Sequence, residues 1–191
     1  CDEFFGCTCR VCDPCATTVA LVGVLKAVKS VMAADSVWTM TTAPGINPSA
    51  YRYFFLVDGN KVNDPKNPMT PDFRPMVEIV PKGQKLFWQQ KDVPHGLMSI
   101  VYYPSKATST TRRMYIWTPP NYFAGNKKLP VLYLLHGGGD NDTNWPVQGE
   151  AGWILDNLFA ENKIAPMIVV MPNGSISIET FAEDLGNNII P

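Results

Sequence analysis

Two apolar runs with no polar alternation, Val131-Leu-Tyr-Leu-Leu135 and Met167-Ile-Val-Val-Met171, limit this chain to folds that bury a strand on both faces. A parallel sheet covered by helices does so, whereas an antiparallel sheet with one wet face shows alternation. Between the runs, Ile154, Leu155, Leu158 and Phe159 fall on one stripe of a helix expected over residues 153–161. Strand, loop, helix and strand then form one crossover unit of a parallel sheet, for which the right-handed connection is the rule. The first strand opens into His136-Gly-Gly-Gly139, and three consecutive glycines free the backbone just past its carboxyl end. N–H groups of such a loop can converge on one point, the arrangement that stabilises the negative oxygen of a tetrahedral acyl intermediate.

The partner of that loop is a nucleophile, and no Gly-x-Ser-x-Gly occurs in the 191 residues. His136, just before the glycines, reads as loop support through backbone hydrogen bonds, and His95, in a Pro-His-Gly turn, as structural or solvated. Asp140, Asp142 and Asp184 read as loop and helix-cap residues. Lys plus Arg number 16 against 17 Asp plus Glu, which leaves no electrostatic footprint for nucleic acid. The apolar stretch from Val19 to Leu25 is cut by Lys26, far short of the roughly 20 residues a membrane helix needs. Neither nucleic acid nor membrane is therefore an expected partner. A secretory leader is disfavoured because Asp2, Glu3 and Asp13 outweigh Arg10, and a start at Cys1 suggests a fragment or a processed end.

All five cysteines lie within residues 1–15. Cys9-Arg-Val-Cys12-Asp-Pro-Cys15 has the spacing of a metal site, but no fourth ligand follows at matching spacing. No metal and no cofactor is expected, and residues 1–15 read as a disordered or non-native terminus. Residues 16–68 read as a partial antiparallel sandwich. Val37, Thr39 and Thr41 alternate with Trp38 and Met40, Tyr51 to Val57 forms a strand, and Asp58-Gly59 turns it back. Residues 16–35 fit either a strand from Ala16 to Gly23 or a helical stripe of Leu21, Leu25, Val28 and Met32; the strand is preferred. Pro65, Pro68, Pro71, Pro75 and Pro81 mark a boundary, with residues 69–90 as linker. Residues 91–191 then form the α/β part, in which Leu97 to Tyr103 and Arg113 to Thr118 pair as antiparallel edge strands.

Several segments are specific in combination: Arg113-Met-Tyr-Ile-Trp-Thr-Pro-Pro-Asn-Tyr122, Leu129 to Trp145, and Met167-Ile-Val-Val-Met-Pro-Asn-Gly174. In that order they resemble bacterial family-1 carbohydrate esterases, the feruloyl and acetyl-xylan esterase group. Trp38, Tyr51, Tyr53, Phe55, Val57-Asp58-Gly59 and Asp64-Pro65 resemble part of the immunoglobulin-like family-48 carbohydrate-binding modules that precede such enzymes. The resemblance implies an α/β-hydrolase fold, here truncated before the nucleophile elbow, with a Ser-His-Asp triad absent from this chain. It also implies Gly138 and Gly139 as oxyanion-hole backbone, and Trp145 as a substrate-binding wall, loop packing being the alternative for that residue. The implied activity is hydrolysis of feruloyl or acetyl esters on plant cell-wall polysaccharide by a secreted or periplasmic protein, of which this chain alone is inactive. A non-catalytic carbohydrate-binding scaffold, and a siderophore esterase or acyl transferase of the same fold, stand as alternatives.

Overall fold

The computed structural model describes residues 8–12, 15–23, 27–64, 76–80, 85–125 and 128–190. They divide into two compact units, one ending at Leu86 and one beginning at Phe87.

In the first unit, β1 (Thr8–Cys12), β2 (Val19–Gly23), β3 (Ala27–Met32), β4 (Val37–Thr42), β5 (Ser49–Val57), β6 (Asn60–Val62) and β7 (Met76–Ile79) build two antiparallel sheets. One has the order β1-β4-β3; in the other, β5 pairs with β2, β6 and β7. Both sheets contribute to a single core of Val19, Leu21, Trp38, Met40, Tyr53, Phe55 and Ile79. The alternation of β4 works as its sequence implies, with Trp38, Met40 and Thr42 turned inward. Asp58 and Gly59 take φ of 48° and 81°, the positive pair that a two-residue hairpin turn requires. The Asp58 carboxylate accepts from the backbone and side chains of Thr17 and Thr18, which holds its pKa below the ordinary value and ties the turn to the start of β2.

Two sequence expectations need correction here. Residues 8–12, placed in a disordered terminus, form β1 and pair with β4 from Thr8↔Thr41 to Cys12↔Val37. Residues 76–79, placed in the 69–90 linker, form β7 against β5, and Ile79 is buried in the core. The proline rule behind the linker is respected all the same, because Pro75 and Pro81 flank the strand rather than interrupt it. In residues 16–35 the preferred strand forms as β2, and residues 27–32 pair with β4 as β3, so the alternative helical stripe through Val28 and Met32 does not form. The linker prolines themselves, and residues 1–7, lie outside the described residues.

In the second unit, β8 (Leu97–Ser105), β9 (Thr110–Thr118), β10 (Val131–Tyr133) and β11 (Ile168–Pro172) make one sheet of order β10-β11-β9-β8. β10 and β11 are parallel, with Val131↔Ile168 through Tyr133↔Val170 in register. The chain between them contains α1 (Ala151–Ala160), which supplies Ala151 and Leu155 to a core with Trp117, Val169 and Met171. β11 is buried as its composition implies. β10 and β8 are the two edge strands of the sheet formed by the described residues, and Val131 and Leu132 on β10 are 42% and 45% exposed. α2 (Ile178–Asp184) begins at Ser177, whose side chain accepts from the Thr180 N–H as an N-cap.

Candidate active site

The glycine loop leaves β10 with Leu134 N–H still donating to Val170 O at 2.9 Å, so its first residue is fixed by the neighbouring strand. His136 follows and bridges two segments. Its Nε2 accepts from the Gly174 N–H at 2.7 Å, which requires the proton on Nδ1, and that nitrogen lies 2.9 Å from Gly137 O. The imidazole thereby joins the loop after β10 to the turn after β11. Ser175 Oγ adds a second tie by donating to Asp140 O at 2.5 Å. Within the loop, Asp140 N–H closes on Gly137 O at 3.2 Å, and Gly139 takes φ +76°, which a Cβ would strain. The loop and turn bound a cavity of about 620 Å³ lined by Gly137, Gly138 and Gly139 on one side and by Ile176, Ile178 and Phe181 on the other.

A cluster of carboxylates and arginines supports this arrangement from below. Arg112 and Arg113 are consecutive on β9 and so project to opposite faces of the sheet. Arg113 grips Asp142 of the loop through Nε at 2.5 Å and Nη2 at 2.9 Å, and the Asp142 carboxylate is fully buried. Those hydrogen bonds raise the Arg113 pKa above its already high ordinary value. Arg112 reaches Asn173 O with Nη2, and its Nε lies 3.1 Å from the buried Asp184 carboxylate. Asp184 also accepts from Tyr103 OH at 2.7 Å and from Asn188 Nδ2 at 3.2 Å. Asn141, Thr143, Asn144 and Gln148 complete the loop with a run of short polar contacts.

The structure brings Gly138, Gly139 and His136 together in one wall. The Gly138 N–H donates to no group among the described residues. Trp145 is not among the residues lining this cavity. Its indole Nε1 donates to Leu135 O at 2.8 Å and its ring packs on the core under α1, so it holds the loop from inside. Asp142 lies in the loop and Asp184 at a helix boundary, as the sequence reading has them, and both are in addition buried ion-pair partners of Arg113 and Arg112, which with Tyr103 escaped that reading. Two consecutive arginines in an otherwise apolar strand were the available signal, because each must find a counter-charge on its own face. Among the described residues no group of three or more His, Cys, Asp or Glu is placed to hold a metal ion; Cys15 is exposed.

Removing the His136 bridge is a direct test of the loop geometry. His136→Ala should cost about 1 kcal/mol or less of global stability while raising the hydrogen-exchange rate of the Gly174 amide selectively. Unchanged exchange at Gly174 would show that the bridge is not formed in solution.

Comparison with known proteins agrees with this geometry. Residues 105–186 match the family model described as putative esterase. Over 147 residues, 73% of this chain, the sequence is 37% identical to the endo-1,4-beta-xylanase/feruloyl esterase of Xylanibacter ruminicola. A further 85 residues' alignment, at 32% identity, is to endo-1,4-beta-xylanase Y of Acetivibrio thermocellus. The chain spans 20% and 8% of the lengths of these two relatives. The crystal structure of the enterobactin esterase FES from Shigella flexneri superposes with a TM-score of 0.63, covering 95% of this chain and 57% of that one at 15% identity, a likeness of fold. The fold is of the kind seen in that enzyme, and residues 105–186 are similar to the esterase family. By sequence the chain is similar to a segment of such carboxylic ester hydrolases, the xylanase/feruloyl esterase among them.

Proposed function

We propose that this chain supplies the oxyanion loop of a serine carboxylesterase that removes feruloyl or acetyl groups from plant cell-wall polysaccharide. The observation that carries the reading is the Gly138 N–H, unengaged among the described residues and presented by a loop tied on three sides through His136, Ser175 and Asp142. Preorganised donors of this kind stabilise charge without reorganisation at the moment of reaction. The apolar wall of Ile176, Ile178 and Phe181 across the cavity suits an aromatic acyl group. The feruloyl esterase in the name of the 37%-identical relative supports that choice. In the same proposal, the amino-terminal unit is an immunoglobulin-like module of the kind that accompanies such esterases, and the protein works outside the cell or in the periplasm. The two antiparallel sheets sharing one core support the first point.

With no Gly-x-Ser-x-Gly in its 191 residues, the chain by itself should not turn over methyl ferulate or an aryl acetate, and a serine-directed phosphonate should not label it. Turnover above background would overturn the assignment of the nucleophile to other sequence. In a polypeptide that joins this chain to such a nucleophile, Gly138→Pro deletes the N–H and should lower kcat about 10²–10³-fold with far less effect on KM. An unchanged kcat would remove Gly138 from the oxyanion hole.

A further inference from the structure

The second unit contains another cavity, of about 320 Å³, whose lining shares no residue with the cavity at the glycine loop. It lies between the start of β8 and α1. The wall is made mainly of Trp153, Trp117, Met98 and Pro146, with His95 and the carboxylates of Glu150 and Asp156 as its polar groups. No Lys or Arg lines it, so an anion is disfavoured.

The polar chemistry of this cavity is unusually well determined. Asp156, whose side chain is 4% exposed, lies 2.8 Å from His95 Nδ1 and accepts from Gly96 N–H at 2.8 Å and from Trp117 Nε1 at 3.0 Å. Three donors on one carboxylate leave it little capacity for a ligand. The same contact places the proton of neutral His95 on Nδ1 and makes Nε2 an acceptor. No donor to Nε2 occurs among the described residues, and the imidazole side chain is 37% exposed. Trp153 stands edge-to-face against the imidazole, with centroids 5.2 Å apart, so an aromatic surface lies beside the acceptor. The open His95 Nε2 acceptor beside an aromatic surface fits a ligand with a hydroxyl on an aromatic ring. A sugar would bury several hydroxyls against Met98, Pro146 and the indoles without partners.

We propose that this cavity is a binding site for a neutral phenol, which packs its ring against Trp153 and donates its hydroxyl to His95 Nε2. The site is separate from the glycine loop, and the proposal does not depend on the esterase reading. Its volume admits a single substituted ring rather than a polymer. Gly152 forms part of the wall, and a Cβ there would meet Met98 Cε at 3.6 Å, an ordinary contact. A large side chain at 152 can therefore fill the cavity, and the change from Gly favours the helix.

The test is titration of the whole chain with p-cresol and with its methyl ether, 4-methylanisole, followed by NMR of the indole N–H signals of Trp117 and Trp153. Expected is millimolar binding of p-cresol that shifts both signals, with the ether about three- to tenfold weaker because it has no hydroxyl to donate. His95→Phe should erase the difference between the two ligands, and Gly152→Phe should abolish both titrations. Equal affinity for phenol and ether in the unaltered chain would overturn the role of His95 without recourse to any variant. Binding that survives Gly152→Phe would place the ligand elsewhere. Tighter shifts with methyl β-xyloside or with benzyltrimethylammonium would overturn the phenol in favour of a saccharide or a cation. Absence of shifts with any of these probes would remove the site.

Discussion

Arg113→Met is expected to destabilise the unit from Phe87 onward by about 3–5 kcal/mol, the cost of removing one partner of a buried ion pair and leaving the other charge behind. The charge left behind is Asp142, whose side chain has no solvent exposure. The guanidinium side of the pair is 31% exposed, so water reaching the vacated space brings the expectation to the lower end of that range. For a unit of this size, about 3 kcal/mol corresponds to roughly 12–20 °C in Tm. Arg113→Lys should recover only part of the loss, because the two parallel N–H donors at Nε and Nη2 are replaced by a single ammonium. Thermal unfolding of the three proteins, read by tryptophan fluorescence, checks the order. An Arg113→Met protein within 1–2 °C of the parent would mean that the pair is solvated and that Asp142 is not buried in solution. The same comparison bears on the site, since the pair ties the glycine loop to β9.

The sequence makes some of this legible and hides the rest for a physical reason. Composition identifies Ile168 to Met171 as a doubly buried strand, and the structure agrees, because β11 has neighbours on both edges. The equally apolar β10 reads the same way, and it pairs in parallel with β11 as such a strand should. The positions of β1 and β7 were hidden because the evidence for each is a partner strand some 25–30 residues away, outside any periodicity window. Of the glycine loop, the backbone freedom of residues 137–139 is visible in the sequence, whereas its anchors are not. Asp142 and Asp184 look like ordinary loop and cap residues until Arg113 and Arg112, on opposite faces of β9, are seen to reach them. Trp145 shows the converse: an aromatic after a glycine loop invites a substrate role, but its N–H and ring are both committed to holding the loop.

Asp184→Ala is the second substitution with a large expected effect, about 3–4 kcal/mol. Asp184 has no solvent exposure, and its loss strips the counter-charge from Arg112, itself 11% exposed, and the acceptor from Tyr103 OH. Tyr103 and Arg112 are register partners on β8 and β9, so both project from one face and converge on the end of α2. Removing the carboxylate therefore loosens α2 from the sheet rather than disturbing one contact. Asp184→Asn should cost less, because the amide oxygen still accepts from Tyr103 while the ion pair is lost. The pH dependence separates the two interactions. Burial first, and the hydrogen bond to Asp184 second, push the Tyr103 phenol from 10.0 up to about 12. A phenol that holds its proton more tightly in the folded state contributes stability that is complete below pH 10 and is lost as pH rises toward 12. Tyr103→Phe should accordingly lower stability by an amount that is constant from pH 7 to 9 and shrinks above pH 10, as measured by urea unfolding at a series of pH values. A deficit that stayed constant through pH 11 would mean that the Tyr103 hydroxyl ionises freely and is not held by the buried carboxylate, in which case the anchoring of α2 rests on Arg112 alone.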